Sequence, residues 1–336
     1  MKKSVCFLLS LAFLSGCAHS VEVGMFKETP LDQKTADILP PQHVIDKKQP
    51  KVAVLPFGEP SEYRGKLKSG AQEGITQIVS KGCGMEVVER SQAQSLFEEK
   101  KFAGSLDVGA DFSDLIKMAQ GIDYVILGSI TNTGTGASFT PSQTTYDKKT
   151  GKSYTSKPYC TVSGHATMNV RVVNASTGTI AQAFQPFKGT VSGIFEVSDS
   201  SQCRVNDPVS VVNQAVADAI KKSKRPFFEA FPRYGYLYKT MTGADGRRIA
   251  YINLGKLDGI KAGDDVELVR YVKEVDRVRK IERLTIQKIT DVQIAETDLQ
   301  DDRSIIIIPE EVSALVMPGL AVKTKYNGNI LLDFFQ

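Results

Sequence analysis

The sequence predicts a mixed α/β (α+β) layer over residues 51–226, followed by a small all-β barrel over 233–326. Three observations carry that reading. Short apolar strands alternate with helical periodicity from Lys51 to Leu127, which argues for a sheet that is at least partly parallel. From Ile249 onward, strand-length apolar runs recur between the turn glycines Gly255, Gly259 and Gly263. Between the two patterns, Pro226 to Pro232 interrupts both.

The elements follow in order. Residues 17–50 contain Pro30, Pro40, Pro41 and Pro50 with little periodic apolar signal, and read as an extended tether or a strap on another subunit. Val52–Leu55 is a buried strand stopped by Pro56, and Leu67, Ala71, Ile75, Ile78 and Val79 then recur at helical spacing. Met85–Val88 is a second strand. Ser91 caps a helix carrying Ala93, Leu96 and Phe97, and a third helix at Leu115–Ala119 ends at Gly121. Tyr124–Leu127 is again a buried strand. Met168, Val170 and Val172 alternate with Asn169 and Arg171, so one face of that strand is buried, and Asn174–Gly178 turns the chain back. Pro208 starts a helix with Val212, Ala215, Val216, Ala219 and Ile220 on its apolar side, ending in the basic run Lys221–Arg225. The barrel strands are Ile249–Leu254, Val266–Tyr271, Leu284–Ile294, Ser304–Ile308 and Ala314–Thr324, for a barrel of five or so. The apolar tail 327–336, with Ile330, Leu331, Leu332, Phe334 and Phe335, packs either on a neighbour or on its own domain.

Four segments together resemble the CsgG family, the lipoproteins that form the curli secretion channel and its relatives. They are Val52-Ala53-Val54-Leu55-Pro56-Phe57, Val87–Gln92, Asp123–Ile130 and Asn169–Gly178. The resemblance implies a periplasmic α/β domain of nucleotide-binding-like shape without nucleotide chemistry, assembled into rings. Tyr251–Asp264 is similar to the SH3-like C-terminal domain of the flagellar T protein, a ring component of some flagellar motors.

The N-terminus resembles a bacterial lipoprotein signal. Lys2 and Lys3 precede an apolar stretch, Val5–Leu14, too short to span a bilayer, and Leu14-Ser15-Gly16-Cys17 looks like a lipobox. The likeness implies cleavage after residue 16 and acylation of Cys17, with two or three chains making a firm anchor. Ala18 stands where an Asp would hold the protein at the inner membrane, so the expectation is the outer membrane, facing the periplasm. Residues 1–16 are then a signal peptide. The formal net charge is +4, and Lys2 and Lys3 leave with that signal, so composition gives no basic face for nucleic acid. Of the remaining cysteines, Cys160 and Cys203 lie in polar, loop-like sequence and are paired as a disulfide; Cys83, between two glycines beside a strand, is the buried thiol.

A curli-type pore needs strands of about 9–11 residues with one apolar face. On one face Thr131, Thr133, Thr135, Ala137 and Phe139 are mostly hydroxylic, on the other Asn132, Gly134, Gly136, Ser138 and Thr140 are more polar still, and 142–157 is rich in Ser, Thr and Lys. Phe187, Val191, Phe195 and Val197 share a face, but 198–208 is polar and supplies no return strand. No chemistry emerges either. Gly58 to Gly65 has the wrong spacing for a phosphate loop, with Leu67 where a hydroxyl should bind magnesium. His19, His43 and His165 form no metal cluster, Cys83 with His165 lacks a nucleophile signature, and Asp111, Asp114, Asp298, Asp301 and Asp302 read as solvated loops and helix starts. The expectation is therefore a non-enzymatic subunit without cofactor or metal. It is held to the outer membrane by lipid and forms or joins a homo-oligomeric ring with other envelope-machine subunits. A curli-type channel is the alternative, and an enzyme or ligand binder the third reading.

Overall fold

A computed structural model describes residues 20–29, 35–88 and 121–327. Cys17, His19, the expected helices near 91–97 and 115–119, Asp111, Asp114 and the tail from 328 onward lie outside them. The chain divides into two compact units, one built on 46–233 and the other on the residues before 46 together with 234–324. The first described elements, strand β1 (Phe26–Glu28) and the single helical turn α1 (Gln42–Ile45), belong to the second unit.

The 46–233 unit starts with β2 (Lys51–Val54), buried at Val52, Ala53 and Val54. A strand apolar on both faces fits the middle of a layered parallel sheet. Helix α2 (Lys68–Gly82) buries the predicted stripe Ala71, Ile75, Ile78 and Val79, and carries the chain over to β3 (Glu86–Val87). Such a crossover is what two parallel strands require. β2 pairs in parallel with β3 on one edge and with β4 (Tyr124–Thr140) on the other. From β4 the chain passes through a separate hairpin, β5 (Thr144–Asp147) and β6 (Lys152–Thr155), into β7 (Tyr159–Asn174). β4 and β7 are antiparallel from Tyr124↔Asn174 to Thr140↔Tyr159, far beyond the parallel part of the sheet. β8 (Ile180–Ala183) and β9 (Phe187–Glu196) pair with successive stretches of β7.

Helix α3 (Pro208–Ala230) covers the sheet, capped by the Asp207 carboxylate, which accepts from the Ser210 N–H at 3.0 Å. Its Val212, Ala215, Val216, Ala219 and Phe227 join the α2 stripe and Ile126, Met168, Val170 and Val172 in one core. The expected break at Pro226 does not occur there. A helical proline loses a backbone bond, yet Phe227 is fully buried and Phe231 stacks near it at 6.4 Å, so the last turn is held by packing. The unit closes on Arg233, whose buried guanidinium donates to the carbonyls of Cys83 (3.1 Å) and Ser80 (3.4 Å). A cation at a helix C-terminus opposes the partial negative charge of its last carbonyls.

The second unit is a closed antiparallel barrel of β10 (Tyr234–Gly243), β11 (Arg248–Ile252), β12 (Asp265–Asp276), β13 (Ile281–Ile294), β14 (Ser304–Ile308) and β15 (Ala321–Thr324). The order is β10-β11-β14-β13-β12-β15, and β15 returns to β10. Six strands close it, in keeping with the five or so that the sequence predicts; the strand without a sequence signal is Tyr234–Gly243. The last strand begins at Ala321 instead of Ala314: Glu310–Leu315 is a 3-10 turn, and Pro318 has no N–H for a ladder.

β11 and β14 are apolar on both faces. Ala250, Ile252, Ile306 and Ile308 point into the barrel, while Ile249, Tyr251 and Ile305 pack outside it with Val21 and Phe26. β1 adds to β10 through Phe26↔Gly243 to Glu28↔Met241. Residues 20–28, expected to be part of an extended tether or of a strap on another subunit, are a strap on their own barrel. Burying Phe26 and Val21 stabilises that strap by about 1.5–3 kcal/mol each.

Candidate assembly surface

The distal parts of β4, β7 and β9 form a sheet extension with two unlike faces. Alternation along the paired strands places Ala137, Phe139, Cys160, Val162, Val191 and Phe195 on one face, and Ser138, Thr140, Thr161, Ser163 and His165 on the other. The apolar face turns toward α3. Gly189 of β9 approaches the helix so closely that a Cβ there would fall 1.8 Å from the Ala215 carbonyl oxygen, and one at Gly164 would meet Val211 at 2.5 Å. Asp218 of α3 accepts from the Thr190 N–H (2.9 Å), and Lys222 donates to the Lys188 carbonyl (3.0 Å), so the helix also satisfies part of the outer edge of β9.

Farther along, Val162, Val191, Ile194, Phe195, Val211 and Gln214 line a groove of about 220 Å³. Small-molecule sites usually enclose about 300–1,000 Å³ with convergent polar groups, so this groove is smaller than such a site. Ile194 is 70% exposed and Phe195 40% exposed on the adjoining edge strand. Above the groove, Cys160 and Cys203 are joined by a disulfide, S–S 2.03 Å, which fastens the loop after β9 to β7. Cys160 is the second residue of β7 and buried, unlike the loop position its polar neighbours predict.

The loop after β2 has a structural explanation. The Glu59 carboxylate accepts from the N–H groups of Gly65, Leu67 (2.9 Å) and Lys68 (3.1 Å), and so fills the start of α2 that a phosphate loop would leave open. Burial pushes the Glu59 pKa up, but the three backbone donors together hold it below its ordinary value of 4.5. Glu59→Ala is expected to lower the stability of this unit by about 1 kcal/mol, the usual worth of a helix cap. Because the folded pKa is depressed, that contribution is complete above pH 4.5 and fades as pH falls through the folded-state value. Urea midpoints of variant and parent should therefore converge in acid; a gap that stays constant with pH would contradict the cap.

Cys83 is fully buried at the end of α2, and burial pushes its thiol up to about 12, only partly offset by the charge of Arg233. A thiol so shifted is a core group, not a nucleophile at neutral pH. His165 lies on the hydroxylic face against Gly134. Asp298 accepts from Gln300 (2.6 Å) and lies 3.9 Å from Arg303, and among the described residues no group of three or more His, Cys, Asp or Glu is arranged to hold a metal ion. Among those residues no helix is long and apolar enough to cross a membrane.

No local sequence pattern points to Arg233 or Thr297. Arg233 reaches an element 150 positions away, beyond any local pattern. Thr297 accepts from the Val21 N–H at 3.1 Å and ties the N-terminal strap to the barrel. The one hint was Ile305–Ile308, a run apolar on both faces that needs a second cover.

The family model for the curli production assembly/transport component CsgG matches residues 51–224. The comparison with curated proteins finds no match. Among solved structures, the chain is similar to the lipoprotein GNA1162 from Neisseria meningitidis at 16% identity, over 52% of this chain and 99% of that one, with a TM-score of 0.27. It is similar to the C-terminal domain of LpoB from Salmonella enterica at 15% identity, over 48% and 86%, with a TM-score of 0.25. The PelC dodecamer from Paraburkholderia phytofirmans matches at 14% identity, over 58% and 95%, with a TM-score of 0.21. With TM-scores below 0.5, none of these structural likenesses bears on function.

Proposed function

The chain belongs to the curli production assembly/transport component CsgG family, and from that premise we propose that it is a non-enzymatic ring or scaffold subunit at the base of a secretion system or cell-surface appendage. It is anchored in the outer membrane by acyl chains on Cys17 and faces the periplasm. Membership of the family fits a secretion-linked envelope role. The observation that carries the narrower reading is the cover on the sheet extension. The face that a membrane strand would turn to lipid is taken by α3 at Gly189 and Gly164, and its far end is pinned through Cys160 and Cys203. Lateral contacts between copies fall on the edge of β9, where Ile194 and Phe195 are exposed. The barrel at 234–324 takes the part of the SH3-like domain and meets other machine subunits.

The anchor then has a short leash. Cys17 stands four residues before Val21, whose N–H is held by Thr297. At about 3.3 Å per residue, the four residues from Cys17 to Val21 reach at most roughly 13 Å, against roughly 110 Å for a free tether over 18–50. Cys17→Ser is expected to move the protein from the outer-membrane fraction to the soluble periplasmic fraction. Retention of the variant in the membrane would mean that something besides lipid holds it.

A curli-type channel is the second reading. It is favoured by the lengths of β4 and β7, 17 and 16 residues, ample for a span that needs about 9–11. Conductance separates the two.

A further inference from the structure

The longest hairpin of the barrel unit reaches beyond the barrel. β15 pairs with β12 only over Val266–Val269, and β14 with β13 only at Gln293–Ile294, yet β12 and β13 stay paired out to Asp276↔Ile281. From Arg270 on, the ribbon has no third strand among the described residues. Its twelve-residue length puts the tip roughly 36 Å from the base, at about 3.3 Å per residue. Charged edges on such a ribbon guard against aggregation in many proteins, but the tip does more than bear charge. Val278 is 93% exposed and sits among Arg277, Arg279 and Lys280, with no acid between 277 and 280. Val275, Leu284 and Ile286 extend an exposed apolar stripe down one face, as the pairings Val275↔Glu282, Lys273↔Leu284 and Tyr271↔Ile286 require.

The base of the same hairpin carries the complement. Leu257 is 76% exposed, and its N–H donates to the Asp301 carbonyl at 2.9 Å, which sets it on the acidic loop bearing Glu296, Asp301 and Asp302. Val278 thus lies at one end in the net-positive run Asp276–Lys280, where Asp276 accepts from the Val278 and Arg279 N–H groups (3.0 Å each), and Leu257, beside Lys256, lies at the other against the net-negative loop 296–303 with Glu296, Asp298, Asp301, Asp302 and Arg303. The length of the hairpin prevents a chain from joining its own two ends.

We propose that the β12–β13 arm of one copy docks its Val278 tip on the Leu257 acidic end of the next copy, head to tail. The proposal rests on the ring reading above and adds a second contact between copies to the one on the edge of β9. A repeated head-to-tail contact generates a ring when its rotation closes, and opposite charge at the two ends fixes the register. The acidic end includes Thr297, which holds the anchored strap, so copies tied to one leaflet present these ends at one height. The arm then lies along the membrane plane and spans the step to its neighbour.

The test is a full-length, lipidated chain carrying both Val278→Cys and Leu257→Cys, expressed in the oxidising periplasm. Both sites are exposed, so neither change disturbs a core. Non-reducing gels of membranes should show a ladder of covalent multimers that collapses on reduction, and neither single variant should give more than dimers. No ladder, while an amine-reactive crosslinker still captures multimers, would overturn the arm contact and leave the ring standing. Monomers under both treatments would end both readings. As a second measurement, reversing Arg277, Arg279 and Lys280 to Glu should weaken assembly in detergent at least tenfold. Adding Asp301→Lys and Asp302→Lys to that variant should restore it. If the reversed arm keeps its native mass but loses binding to phosphatidylglycerol vesicles, the arm is a lipid contact and the proposal fails.

Discussion

Serine at both Cys160 and Cys203 is expected to lower the stability of the 46–233 unit by about 4 kcal/mol. The estimate is the loop-closure entropy of a crosslink spanning 43 positions, evaluated at 25 °C. The effect on the assembly surface should be local as well as global. The bond fastens the 198–207 loop beside Val162 and Phe195, so its loss frees the mouth of the groove and the start of α3. Thermal unfolding of the purified chain with and without reductant provides the check. The parent should lose stability on reduction and the double-serine variant should not respond. Equal melting of parent and variant under oxidising conditions would show that the crosslink contributes nothing.

Gly189→Ala is expected to cost about 3 kcal/mol, at the upper end for overpacking a core, because the obstacle is backbone. The new methyl would lie 1.8 Å from the Ala215 carbonyl oxygen and 2.7 Å from the Ala219 nitrogen, so no side-chain rotation relieves it. Either α3 lifts from β9 or the strand bends away, and both moves open the face the helix covers. Gly193, four residues on in the same strand, has no atom within 4 Å of its would-be Cβ and serves as the control. Gly193→Ala should shift the urea midpoint little, while Gly189→Ala should lower it by about 1–1.5 M at an m-value near 2–3 kcal/mol/M. Equal midpoints for the two variants would mean that the close approach of helix and strand is not what holds β9.

Where short-range pattern decides the structure, the sequence was legible. β2 is continuous apolar sequence, α2 has a clean 3.6-residue stripe, and β7 alternates through Met168, Val170 and Val172, because in each case the burying layer acts on one local period. The extension of β4 to Thr140 was not legible as strand. Thr, Gly and Ser give no apolar period, and it is the ladder to β7 that orders them. The strap at 20–28 carries a weak pattern for the same reason: its burial comes from the outer faces of β11 and β14, more than 200 residues away. The arm was read only from Leu284, since Ile281–Arg283 resembles a charged turn until it is paired with Glu274–Asp276. At the candidate assembly surface, the sequence pairs the two cysteines only through the loop-like character of their neighbours, which holds for Cys203 but not for Cys160 in β7. Gly189 gave no signal, because a glycine in a strand does not announce what approaches it.

The central claim is that lipid alone enters the membrane and that the sheet extension stays outside it. The most direct measurement is conductance of the detergent-extracted, full-length assembly reconstituted into planar bilayers, with orthogonal detection confirming incorporation. The account predicts incorporated protein and silent bilayers at all applied potentials. Discrete, reproducible channel openings that track the amount of incorporated protein would contradict it, and would establish instead that β4, β7 and β9 line a pore.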